Sequence, residues 1–190
     1  MSSPSSELLH RPKRADARRN YDQLIAAARE AFTERDQSAS LEDIARRAGV
    51  GIGTLYRHFP TRAALIQAVY VEEVEALARS AEDMDGRDPW DALTGWLHGF
   101  VGYIATKQAL ADELFAIADQ SAEVFSSCRS ALNAAGQPLL ERAQAAGEVR
   151  TDASVEDVIR IAAAIAKMPA AEPGEVERVL DIALDGLRVR

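Results

Sequence analysis

The chain has little of what covalently stapled or membrane-spanning architectures need. It carries one cysteine, Cys128, in 190 residues, so no intrachain disulfide can form and the fold suits a reducing compartment. With no second thiol to resolve an oxidised one, Cys128 reads as a buried, inert side chain rather than a redox sensor. No apolar run approaches the roughly 20 residues that a bilayer span requires, and residues 1–14 have no apolar core ahead of a cleavage site. A cytoplasmic protein with no membrane partner is expected. Its three histidines, His10, His58 and His98, stand at no metal-ligand spacing. The glycines at 49, 51 and 53 follow no strand-like segment, and neither a nucleophile elbow nor a phosphate loop is present. The chain therefore reads as a non-enzyme without cofactor or metal. Strand alternation, hairpin signals such as Asn-Gly, and internal repeats are also lacking, which leaves an all-α class.

What is present is ordinary globular material, 47% hydrophobic and 27% charged. The net charge of -8 argues against a polyanionic partner, but the distribution reverses that. Residues 1–62 hold 11 Lys plus Arg against 8 Asp plus Glu, and residues 63–190 hold 11 against 22. A basic front end is joined to an acidic body, so a nucleic acid has one place to dock.

Residues 1–14 read as a disordered basic arm whose Arg11, Lys13 and Arg14 can touch DNA. A helical pattern starts at Asp16, with Leu24, Ile25, Ala28, Ala31 and Phe32 on one face, and ends near 35–37. Ser40-Leu41-Glu42-Asp43 has the form of a capping box that opens a second helix reaching about Ala48. Gly49 is the expected left-handed residue that closes it. A short third helix is predicted over 54–59, ended by Pro60. Thr61 caps a fourth that runs to about Ala81. Pro89 sits at the first position of a fifth, with Asp88 as cap. The apolar residues further on suggest segments over 93–104, 110–117, 124–132 and 138–146, then two strongly apolar helices over 155–168 and 175–187.

Two short helices joined through a glycine turn allow one to enter the major groove while the other braces the backbone, although protein-interaction modules use the same geometry. The residue detail is more specific. Ile44-Ala45, Ala48-Gly49-Val50, Gly53-Thr54-Leu55-Tyr56 and His58-Phe59 in this order, with Phe32 one helix upstream, closely resemble the N-terminal domain of the TetR family of transcriptional regulators. The likeness covers about 18–70; beyond it the chain follows only the family's general plan.

That resemblance implies a helix-turn-helix DNA-binding domain over 15–62 and a helical effector-binding and dimerisation domain over 63–190. It implies DNA contacts from Ser40, Gly53, Thr54, Tyr56, Arg57, His58 and Arg62. The open backbone at Gly53 and the hydroxyl of Thr54 suit close approach to phosphates or base edges. Tyr56 and His58 would donate to phosphates, with a core tyrosine as the alternative for Tyr56. Arg57 would pair with guanine, and Arg62 would reach a phosphate from the start of the fourth helix. Arg46 and Arg47 are either phosphate contacts or solvated charges. Leu41, Ile44, Ala45, Val50, Leu55 and Phe59 are assigned to packing. Gly51 stands where relatives often carry a small polar cap, so a capping contact is missing there.

For the body, the resemblance implies a pocket for an unidentified small-molecule effector, with Trp96, Phe100, Tyr103, Phe115 and Phe125 as its aromatic lining and His98, Gln120 and Cys128 as possible polar lining. It also implies a homodimer through 155–168 and 175–187, where long apolar faces combine with small residues; burial within the monomer is the alternative. The leading expectation is a dimeric repressor that an effector releases from operator DNA through the fourth helix. The alternative is a helical module whose helix-turn-helix binds a protein.

Overall fold

In the computed structural model, which describes residues 11–33, 39–110, 114 and 122–189, eight helices are named and the described residues contain no strand. They are α1 (Ala15–Thr33), α2 (Leu41–Arg47), α3 (Ile52–His58), α4 (Arg62–Glu82), α5 (Pro89–Ala109), α6 (Ala122–Ala145), α7 (Val155–Ala166) and α8 (Glu175–Asp185). Among the described residues no helix is long and apolar enough to cross a membrane.

Local chemistry sets most of these boundaries. Thr61 Oγ1 accepts the amide of Ala64 at the start of α4, and Asp88 Oδ1 accepts those of Trp90 and Asp91 at the start of α5. Two of the expectations change. The third helix starts at Ile52 rather than Thr54, because the extended Gly51 presents its carbonyl to the amides of Thr54 and Leu55. The expected segments over 124–132 and 138–146 are a single helix, α6, with Pro138 inside it. Proline removes one bond to the carbonyl four residues back; both Ala134 and Pro138 are exposed, so water can take up that carbonyl. The Ser154-to-Asp157 capping box that opens α7 repeats the S-x-x-D pattern of 40–43 and was legible by the same rule. The end of α1 near 35–37, residues 1–10 of the basic arm, and Phe115, Gln120 and most of the 110–117 segment lie outside the described residues.

The chain forms two compact units. One comprises the described residues of Met1–Glu73 and Thr106–Ser126, and the other those of Val74–Ala105 and Ser127–Arg190. In the first, α1 packs on α2 and α3, and α2 on α3. Leu24, Ala28, Ala31, Ile44, Leu55, Leu65 and Val69 are almost wholly withdrawn from solvent there. Burying each Leu, Ile or Val contributes roughly 1.5–3 kcal/mol, which a seven-residue helix such as α2 or α3 could not supply by itself. Ion pairs add to this unit: Arg11 lies bidentate on Glu72 of α4, at 2.7 and 2.5 Å, and Arg29 of α1 pairs with Glu73.

In the second unit Trp96 is the largest fully buried side chain. Its indole N–H donates to the Leu77 carbonyl at 3.0 Å, and its ring lies against Gly136 of α6. Helices α7 and α8 pack together. An isolated bridge between Val149 and Arg188 ties the chain's last described residues to the turn after α6. Arg188 also lies over the Trp90 ring, 4.6 Å from its centroid.

Candidate nucleic-acid interface

The helix pair α2–α3 is built by one capping box and one left-handed glycine. Ser40 Oγ accepts the Asp43 amide at 3.1 Å and donates to Asp43 Oδ2 at 2.8 Å, while the same carboxylate accepts the Ser40 amide. The hydroxyl bond from Ser40, then the backbone bond, then the Arg46 guanidinium hold the Asp43 carboxyl below its ordinary range. At the other end of α2, Gly49 takes φ +68°. Its amide bonds the Arg46 carbonyl and the Val50 amide bonds the Ala45 carbonyl, the two bonds of a Schellman closure. An L side chain in that conformation would be strained. Gly51 then heads α3 with no side-chain cap.

This turn rolls α3 so that Leu55 is fully buried while Tyr56 is 46% exposed. Gly53 and Arg57 are exposed beside Tyr56, and Thr54 is half-buried. Positions 53, 56 and 57 share one face by helical spacing. Nothing lies within 4 Å of where a Gly53 side chain would begin, so the backbone there is bare. Arg57 Nε donates to the Gly53 carbonyl at 3.1 Å, using one of its five donors. His58 is half-buried. Its ring meets Tyr21 of α1 edge-on at 6.0 Å and Phe59 at 6.2 Å. Of the residues assigned to packing, Ile44, Ala45, Leu55 and Phe59 are buried, whereas Leu41 and Val50 are half-buried.

Cations expected at the DNA have partners within the fold. Arg11, expected in a free arm, is held by Glu72. Arg46 pairs with Asp43 three residues earlier. Arg62 donates to the Ala39 carbonyl at 2.7 Å and lies over the Phe32 ring. None of these partnerships was read from the sequence, nor was the role of Tyr21. Tyr21 carried a usable signal, since it lies three and four residues before Leu24 and Ile25 on the same face.

The expected effector lining divides between the two units. Trp96, Phe100 and Tyr103 are buried in the second, and successive ring centroids are 6.2 and 5.6 Å apart. Phe125 belongs to the first, where it meets Tyr70 edge-on at 5.2 Å. A cavity of about 330 Å³ in the second unit is lined by His98, Val101 and Ala105 of α5 together with Ala166, Glu172 and Val176, but by none of the named aromatics. Cys128 is buried in α6.

Comparison with known proteins agrees with this arrangement. Residues 24–69 match the family described as bacterial regulatory proteins, tetR family, and residues 88–189 match a transcriptional regulator SbtR-like C-terminal domain. The fold is similar to the crystal structure of the TetR transcriptional regulator SCO0520 from Streptomyces coelicolor, at 40% identity over 88% of this chain and 98% of that one, with a TM-score of 0.78. It is similar also to a TetR transcription regulatory protein from Mycobacterium vanbaalenii, at 33% identity over 94% of this chain and all of that one, with a TM-score of 0.77. The HTH-type transcriptional regulator SAR0097 of Staphylococcus aureus is 39% identical over 39% of this chain; the chain spans only 40% of that relative's length.

Proposed function

The chain belongs to the TetR family of helix-turn-helix DNA-binding transcriptional regulators, and from that premise we propose that it is a homodimeric repressor released from its operator by a small-molecule effector. The observation that carries the DNA contact is the open face of α3, where Gly53, Tyr56 and Arg57 are exposed over a helix anchored by the buried Leu55. On this reading Arg57 selects a base through the major groove. Tyr56 and His58 donate to phosphates, and Thr54 and the bare backbone at Gly53 admit the strand closely. Ser40 contributes less directly, because its hydroxyl proton is used by Asp43.

The dimer reading is supported by the apolar side chains that α7 and α8 leave in solvent, Ile161 at 38% and Ile182 at 65% exposure. Two copies of this helix pair can form a four-helix interface. A two-fold dimer would meet half-sites roughly 34–36 Å apart or somewhat further. An effector that binds one conformation better than another shifts the spacing of the recognition helices. Helix α4, whose residues are shared between the two units, is the proposed connection. The acidic body restricts polyanion binding to the basic front, in the bacterial cytoplasm where the operator lies.

The test begins with selection of a duplex from a random library by the full-length wild-type chain. The affinity of that duplex should fall steeply with salt; a slope near zero contradicts phosphate-dominated docking. Arg57→Ala should change base preference, and Tyr56→Phe should weaken all sequences alike; the reverse pattern overturns these roles. Native mass spectrometry of the purified protein tests for the dimer and for a bound effector.

A further inference from the structure

Arg62 is the first residue of α4, and its side chain joins three elements of the first unit. Nη1 donates to the Ala39 carbonyl at 2.7 Å. The guanidinium carbon lies 5.1 Å from the centroid of the Phe32 ring, near the end of α1. Both neighbours are buried, Ala39 to 2% and Phe32 to 6% exposure. A buried carbonyl needs a partner, and a cationic donor makes the stronger bond. A planar cation over an aromatic face adds attraction.

The position of Ala39 gives this contact its consequence. It directly precedes Ser40, whose capping box starts α2, and α3 packs on α2. We propose that Arg62 is a positioning residue for operator binding: it holds the start of α2 against α1 and α4, and supports DNA affinity through the placement of the helix pair and not by neutralising a phosphate. This rests on the DNA-binding reading above. A lysine keeps the charge but lacks the planar fork, so it cannot lie flat on Phe32 while bonding Ala39.

Arg62→Lys and Arg62→Met separate the two roles in the full-length chain, since each keeps an aliphatic stem to cover Phe32. The probe is the duplex selected by the wild type. Two measurements are needed: the salt dependence of affinity, and hydrogen exchange of the Ser40, Asp43 and Ile44 amides without DNA. Both variants are expected to bind about tenfold more weakly, as loss of one charge-assisted bond implies, with an unchanged salt slope and faster exchange at those amides. The inference is overturned if Arg62→Lys binds like wild type while Arg62→Met lowers the slope by about 0.9. Faster exchange with unchanged affinity also overturns it, leaving Arg62 a purely structural residue. A wild-type chain that enriches no duplex removes the DNA reading itself, and this inference with it; that failure is distinct because it precedes any substitution.

Discussion

Replacing Gly53 with alanine should move stability and DNA binding in opposite directions. Gly53 is the second residue of α3 and its φ is not left-handed. A Cβ built there meets no atom within 4 Å, so the methyl group costs nothing in packing. Alanine loses less backbone entropy than glycine on entering a helix, by roughly 0.5–1 kcal/mol. The position lies in the first turn, so the lower end applies, about 0.5 kcal/mol. At roughly 2–4 °C per kcal/mol for a domain of this size, Tm should rise by about 1–2 °C. The same methyl projects from the face that carries Tyr56 and Arg57, where the bare backbone would lie against DNA. Pushing the strand back by an ångström breaks hydrogen bonds whose N···O distance must stay near ~2.9 Å. Losing one charge-assisted bond at ~1.5–3 kcal/mol weakens binding by about tenfold to somewhat over a hundredfold. Thermal melts and fluorescence anisotropy on one selected duplex measure both quantities in the same buffer. A raised Tm with unchanged affinity refutes close approach at Gly53, and a lowered Tm refutes the open geometry.

Other substitutions test separate parts of the molecule. Gly136→Ala should destabilise by about 1–3 kcal/mol, because the new Cβ would stand 2.7 Å from Trp96 Cζ3 and 3.0 Å from Val155 Cγ2; calorimetry should show a matching fall in Tm. Gly51→Ser should stabilise the chain by a few tenths of a kcal/mol by supplying the absent cap in an extended backbone with open space around it, read by denaturant midpoint. The Asp43 carboxyl is held down mainly by Ser40, so the capping box stabilises fully above about pH 4 and is lost as pH falls through the lowered folded value. Carbon-detected NMR should show the Asp43 titration rising toward its ordinary value in Ser40→Ala, and no movement would remove the box as its cause. Ile182→Glu should raise the dimer dissociation constant at least tenfold without changing helix content, since the charge would be desolvated at the proposed interface; light scattering across a dilution series measures it.

How much was legible depended on whether the cause was local. Capping chemistry needs three or four neighbouring residues, so Ser40-to-Asp43, Gly49 and Asp88-Pro89 could be read directly. The N-terminus of α3 was misplaced by two residues because Gly51 caps through its backbone carbonyl, which no side chain advertises. Pro138 looked like a helix start because the first turn is where proline fits best; only its solvent-facing position in α6 lets the helix run through it. The aromatics of α5 were recognisable as one buried face. Whether an aromatic packs against a protein neighbour or a ligand depends on what the other helices bring to it, and for Trp96 that is Gly136.

The amino-acid order was sufficient for the all-α class, the helix-turn-helix with its glycine closure, the charge asymmetry and the family, because periodicity, caps and a contiguous motif are all encoded within a few turns of chain. The assignments of its cations came from the folded arrangement. Arg11 meets Glu72 across 61 positions and Arg62 meets Ala39 across 23; such separations leave no mark in local spacing. An arginine in a sequence offers a charge and five donors, and only the surrounding packing decides whether they are spent on the protein or remain for DNA.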